Sequence, residues 1–353
     1  MNERLARLRA AMQGDRVDAT LLTSLPSVRY LSGFAGDSAT LIVTGGRSVL
    51  LTDSRYTAQV RAQTACEVIE ITRADYLDKI KVFLQAEGVM RVGFEDDSMS
   101  VATRAVYDPL GLDFVPYGKV CRTLRLIKSA DEVKKLRQAQ GIADQAFAEL
   151  LNVIRPGMSE KRVAAELLYL CARLDSDGPA FPPIVGSGEN GAMCHLSPGE
   201  RQLQRGDLVV IDFGCTVDGY CSDMTRTVAI GQPDERQRQV YDLVRQAQQR
   251  ALDALRPGIT GRELDAVARE VIAAQGYGAY FGHGLGHGIG LQVHEGPTAS
   301  QSAEESLQAG MTLTVEPGIY LPEQFGVRIE DCCVLTEKGH ENLTATTKEL
   351  IIL

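Results

Sequence analysis

LLNVIRPGMSEKRVAAELL (150–168) returns later in the chain, in altered spelling, as ALDALRPGITGRELDAVAR (251–269). Arg-Pro-Gly stands at 155–157 and again at 256–258. In each copy Pro and Gly stop one helix, and Ser159 or Thr260 supplies a side-chain oxygen to cap the next. A second repeat aligns LQRGDLVVIDFG (203–214) with LQAGMTLTVEPG (307–318), which sets Asp212 opposite Glu316. A nearby offset sets His195 of HLSP against His294 of HEGP. Repetition alone means duplicated architecture. Here acids recur with acids and histidines with histidines, which predicts a pseudo-twofold domain with its site on the axis.

Three of the five histidines, His283, His287 and His294, crowd into FGHGLGHGIGLQVHEGP (281–297). His283 and His287 have the spacing that sets two rings on one helix face. Gly282, Gly284, Gly286, Gly288 and Gly290 argue against a helix, because each costs about 1 kcal/mol relative to Ala. The segment is expected to be extended, its missing side chains leaving room for a ligand or metal beside the backbone.

IDFGCTVDGYCSDMTRTV (211–228) reads as a β-hairpin reversing at Val217-Asp218-Gly219. A symmetric pairing sets Asp212 and Asp223 almost directly opposite each other. Like charges so placed on an inner face are destabilising unless a cation lies between them. The apolar run LVVI before Asp212 favours that buried setting. TLTVEPGIY (312–320) and GVRIEDCCVL (326–335) repeat the arrangement with Glu316 and Glu330. Four carboxylates and one histidine of the glycine segment form an oxygen-rich set suited to a pair of divalent ions, Mn²⁺ or Co²⁺, with Zn²⁺ as an alternative.

With 353 residues the chain has room for two domains. A net charge of −9 argues against nucleic acid or an anionic membrane as the main partner. The sequence holds no apolar run of about 20 residues, the length needed for a transmembrane helix. MNERLARLRAAM lacks a signal-peptide core and reads as an amphipathic helix ending near Gly14. Eight cysteines without CxxC spacing suggest reduced thiols and a cytoplasmic protein, with Cys332 and Cys333 as packing residues. DATLLT, SATLIV and SVLLTD are expected strands, and YLDKIKVFLQAEG a helix stopped by Gly88. Residues 1–122 are therefore expected to form a small α/β domain. Ser129 and Glu132 fit a capping box that opens a helix running to about Leu151, inside a second domain of 123–353.

IDFGCTVDGYCSDMTRT, GHGLGHGIGLQVHE, TVEPGIY and VRIED resemble, in order and spacing, the signatures of the Xaa-Pro metallopeptidases, prolidase and aminopeptidase P. The resemblance is strong over residues 123–353 and holds only in outline before them. It implies an α+β pita-bread catalytic domain after a creatinase-like α/β domain. It further implies Asp212, Asp223, His287, Glu316 and Glu330 as metal ligands, with Asp223 and Glu330 bridging two ions. His195, His294 and Glu316 would be catalytic; His195, His283, His294 and Arg328 would bind substrate, Arg328 also holding the ligand cluster. The expected partners are short proline-containing peptides and a second copy of the chain in a homodimer. Aminopeptidase P activity on longer peptides is the near alternative to prolidase activity. A non-catalytic binding module and a metal-free creatinase-type enzyme are disfavoured by the full ligand set, and methionine aminopeptidases generally lack a first domain of this kind.

Overall fold

In the computed structural model, which describes residues 3–353, the chain divides after Arg125 into two compact units. The first opens with the expected N-terminal helix, Glu3–Asp15, which buries Leu5, Leu8 and Met12. Met1 and Asn2 of that expected helix lie outside the described residues. The three expected strands form as β1 (Ala19–Leu22), β2 (Thr40–Thr44) and β3 (Ser48–Thr52). Three more join them: β4 (Glu67–Glu70), β5 (Arg91–Phe94) and β6 (Asp113–Pro116). The sheet order is β4-β3-β2-β1-β5-β6, antiparallel for β3-β2-β1 and parallel elsewhere. The helix Tyr76–Ala86 drops Ile80, Phe83 and Leu84 onto this sheet, beside Leu21, Ile42, Val49 and Val92. It stops before Gly88, whose φ of 66° is left-handed.

The second unit carries the duplication. Ser129 and Glu132 make the expected capping box at the start of the helix Ala130–Leu150. Next come the helix Glu160–Arg173, the strands β7 (Gly178–Pro179) and β8 (Ile184–Ser187), and then β9 (Leu208–Phe213), β10 (Cys215–Val217), β11 (Tyr220–Cys221) and β12 (Met224–Ala229). The second half runs through helices Glu235–Ala254 and Gly261–Ala274 to β13 (Gly286–Gly288), β14 (Glu295–Ala299), β15 (Thr312–Val315), β16 (Gly318–Leu321), β17 (Phe325–Arg328), β18 (Asp331–Thr336) and β19 (Gly339–Asn342).

Each half packs a helix pair on its own strands. Phe147, Leu150, Val163 and Leu167 meet Val209, Ile211 and Val228 in one core. Val240, Val244, Leu264 and Ile272 meet Leu313, Val315 and Ile319 in the other. The two halves match in backbone detail. Gly157 donates to the Leu203 carbonyl at 2.9 Å, and Gly258 to the Leu307 carbonyl at 2.8 Å. The bridge Ser159↔Gln202 recurs as Thr260↔Ser306.

One register departs from expectation. Asp212 pairs with Thr225 rather than facing Asp223, because the reversal uses two central residues, Asp218 and Gly219, with φ of 48° and 73°. Val217 therefore faces Tyr220, and Asp223 sits one step along the diagonal from Asp212, still on the same face. In the second hairpin the ladder carries Val315↔Asp331 and Gly318↔Arg328, so Glu316 and Glu330 fall opposite each other.

Candidate metal centre

Five donor groups approach one another where the hairpins and the glycine segment meet. Asp223, His287 and Glu330 offer one atom each within 4.8 Å of one another. His287 Nε2 lies 3.3 Å from Glu316 Oε1 and 3.6 Å from Asp223 Oδ2. His287 Nδ1 is 3.1 Å from its neighbour's carbonyl, that of Gly288. A carbonyl can only accept, so Nδ1 carries a proton and Nε2 is the ring nitrogen that faces the acids. The Thr314 hydroxyl accepts from the His287 backbone N–H at 3.0 Å and donates to Glu316 Oε1 at 3.3 Å, tying strand β13 to the acid.

Glycine is required in β13 itself. A Cβ at Gly286 would collide with the Thr314 carbonyl, and one at Gly288 with the Gly296 carbonyl. The segment is extended, as its glycines predict.

Arg328 ties the two halves together. Its guanidinium bonds Asp212 Oδ2, the Thr225 hydroxyl at 3.0 Å and the Tyr320 hydroxyl at 2.9 Å. Thr225 in turn donates to Glu330 Oε2 at 2.7 Å. Tyr320 also meets His283 Nε2 at 2.9 Å.

Burial first, then the crowding of like charges, pushes Asp223 and Glu330 far above the usual carboxylate range. Burial raises Asp212 too, against the pull of Arg328. Glu316 goes the other way: burial opposes ionisation, but the His287 hydrogen bond and charge hold it low. Asp212 Oδ1 is buried without a hydrogen-bond partner. Such a cluster is costly in the protein alone. Divalent cations answer both features, neutralising the acids and taking up the orphan oxygen. The residues fit the ions they are expected to hold.

The cluster opens into a cavity of about 540 Å³ lined by all nine predicted site residues: His195, Asp212, Asp223, His283, His287, His294, Glu316, Arg328 and Glu330. Phe181, Pro182, Pro183 and Ile184 give it an apolar wall. The His294 ring packs edge-on to His287 with centroids 4.2 Å apart, and burial followed by His287 lowers its pKa. The next residue, Glu295, forms an ion pair with Lys128 at 2.8 Å, with both side chains almost fully buried. Sequence reading missed Tyr320, Thr225 and Thr314. Tyr320 lies inside the motif TVEPGIY, but nothing in its spelling announces a link between His283 and Arg328.

Fold and site together define a carboxylate-rich metalloenzyme built on duplicated hairpins. Residues 134–337 match metallopeptidase family M24, and residues 4–127 match the creatinase/prolidase N-terminal domain. The Xaa-Pro dipeptidase of Pyrococcus horikoshii is 38% identical over 99% of both chains. A solved Xaa-Pro dipeptidase from Bacillus anthracis superimposes with a TM-score of 0.96 at 38% identity, covering 99% of each chain. An X-Pro aminopeptidase from Thermotoga maritima gives 0.93 at 38% identity, again over 99% of each. The chain belongs to metallopeptidase family M24. Its second unit has the expected pita-bread fold, preceded by a creatinase-type domain.

Proposed function

We propose that the chain is a Xaa-Pro dipeptidase, a prolidase, that hydrolyses the bond before proline in short peptides with two divalent ions. What carries the reading is the convergence of Asp212, Asp223, His287, Glu316 and Glu330 on one cavity, in a chain similar to Xaa-Pro dipeptidases along its whole length. These five residues would hold the ions. When bound, the ions lower the pKa of a water towards about 7 and polarise the substrate carbonyl.

The remaining work falls to side chains. Glu316 accepts a proton at its carboxylate and passes it to the departing proline nitrogen. Burial keeps His294 neutral at pH 7, so its N–H donates to the carbonyl oxygen as charge develops there. His195, on the cavity wall, provides a second donor. His283, held through Tyr320, lines the substrate side, and Arg328 favours the ionised form of Asp212 and aims its carboxylate. The bond before proline lacks an N–H, so recognition cannot use that donor and depends on shape, for which the apolar wall is suited.

The oxygen-rich donor set supports Mn²⁺ or Co²⁺ before Zn²⁺. Eight free cysteines support a reducing, cytoplasmic setting, and the family resemblance supports a homodimer. No helix among the described residues is long and apolar enough to cross a membrane. The likeness to an X-Pro aminopeptidase favours one second reading, aminopeptidase P activity on longer peptides.

Exhaustive chelation followed by assay on Ala-Pro tests the proposal. Hydrolysis should vanish and return with Mn²⁺ or Co²⁺; full activity in metal-free protein refutes it.

A further inference from the structure

A buried acid outside the metal cluster has no part in the proposed mechanism. Glu160 is the first residue of the helix Glu160–Arg173, and it is fully buried. Its carboxylate gathers four donor groups. Oε1 accepts from the Ser187 backbone N–H at 2.8 Å and the Ser187 hydroxyl at 2.7 Å. The Asn190 side-chain amide reaches both oxygens, at 3.0 and 3.1 Å. Oε2 also accepts from the Gly199 N–H at 3.3 Å.

Ser187 closes strand β8, and Gly199 lies beyond His195. One carboxylate therefore holds both ends of the loop that carries His195. The backbone repeats the fastening: Glu160 donates to the Arg201 carbonyl and Lys161 to the Gly199 carbonyl, each at 3.0 Å. Arg201, paired with Asp207, adds a 2.6 Å bond to the Ser187 hydroxyl. Gly188, at a left-handed φ of 52°, passes so close to the Arg201 guanidinium and Asp207 carboxylate that a side chain there would push this ion pair aside. The His195 ring itself is exposed, so the backbone beneath it decides where it stands.

The duplication makes Glu160 conspicuous. Its counterpart in the second half is Gly261, which keeps the equivalent backbone bonds, Gly261 to the Glu305 carbonyl at 3.2 Å and Arg262 to the Ala303 carbonyl at 2.7 Å. There the Thr298 carbonyl occupies the space a Cβ would need. The second half packs backbone on backbone, whereas the first inserts a carboxylate. The halves differ at the point where the His195 loop is fastened.

We propose that Glu160 is a positioning residue for the reaction: by joining the two ends of the 188–198 loop it sets His195 over the cavity, without touching substrate or ions. This rests on the proposed role of His195 as a donor to the scissile carbonyl.

The test uses Glu160→Gln, His195→Ala and their combination in the full-length, metal-loaded protein. Gln keeps the size of the side chain but turns one acceptor into a donor facing Asn190 or Gly199. Three quantities are read: kcat and KM on Ala-Pro, bound metal, and hydrogen exchange across 188–199. Glu160→Gln should speed exchange in that loop, keep its metal and lower kcat about tenfold, short of the 10²–10³ typical for deleting such a donor. In the His195→Ala background it should lower kcat no further, the non-additivity of two residues acting as one. Ser187→Ala, which removes one donor and leaves the acid, should act the same way to a smaller degree, and it replaces Glu160→Gln if that variant fails to fold. Losses that multiply, lost metal, or unchanged exchange with full kcat overturn the proposal. If His195→Ala alone keeps full kcat, the role of His195 is wrong and Glu160 loses its route to the reaction, while the peptidase reading stands on the wild-type assay.

Discussion

Asp223 and His294 stand within one cavity yet should fail differently when changed. Asp223 lies in the tightest part of the cluster, beside His287 and Glu330, and its charge has meaning only with a cation present. On the proposed reading, Asp223→Asn removes that charge from the set of side chains that would hold two ions. Losing a partner one shell out typically costs 10- to 100-fold in metal affinity or activity. Losing a proposed direct ligand should cost at least about a hundredfold in activity, with bound metal reduced in elemental analysis; two bound ions and normal turnover would contradict the assignment. His294 stacks edge-on to His287 from the cavity side. His294→Ala should therefore keep its metal while kcat falls roughly 10²- to 10³-fold, the usual cost of one such donor. A variant that loses metal but keeps its rate per bound ion pair would make His294 a ligand instead. At this scale the sequence was most legible for residues whose chemistry is rare in a core: clustered acids and histidines among glycines. Tyr320, Thr225 and Glu160 were not legible. Each is an ordinary residue whose meaning depends on partners that only folding brings near, as when Thr225 relays between Arg328 and Glu330.

Elements were readable where pattern and packing agree. The apolar runs of β1, β2 and β3 are buried almost throughout, and all three were expected. β4 and β6 are the edges of the same sheet, with exposed ends and charged residues, so neither shows a buried-strand pattern. The hairpin of Asp212 and Asp223 was foreseen but its register was not. A turn with two positive-φ residues shifts every pair by a fixed amount, which the hydrophobic pattern cannot report. The glycine strand gives the sharpest test at this scale. In Gly286→Ala the new methyl meets the Thr314 carbonyl, which is backbone and cannot swing aside. Strands β13 and β15 must separate, and overpacking of this kind typically costs about 1–3 kcal/mol. Since His287 is the next residue and Thr314 holds its N–H, the movement should also displace this proposed ligand. Gly286→Ala should lower the melting temperature and the metal content together, whereas Gly282→Ala, with open space around it, should change neither.

For the molecule as a whole the open choice is between dipeptides and longer chains. A dipeptide carries its carboxylate on the proline itself, so selecting it means bringing a negative charge close to an acidic metal cluster. Burying that charge without a cation costs several kcal/mol. Arg328 is the one Lys or Arg among the residues lining the cavity, and it is committed to Asp212, Thr225 and Tyr320. A selecting cation must therefore come from beyond those lining residues. The proposed dipeptidase activity requires one. The expected outcome is a higher kcat/KM for Ala-Pro than for Ala-Pro-Ala, arising mainly in KM, because the carboxylate contact exists before and after the carbonyl reacts. An exposed cation is also screened, so the dipeptide's advantage should shrink as salt rises and the Debye length falls from about 10 Å at 0.1 M to about 3 Å at 1 M. A clear preference for the tripeptide would make the enzyme an aminopeptidase P. It would leave the metal cluster's chemistry untouched, since neither the ligands nor His294 reads the residue on the far side of proline.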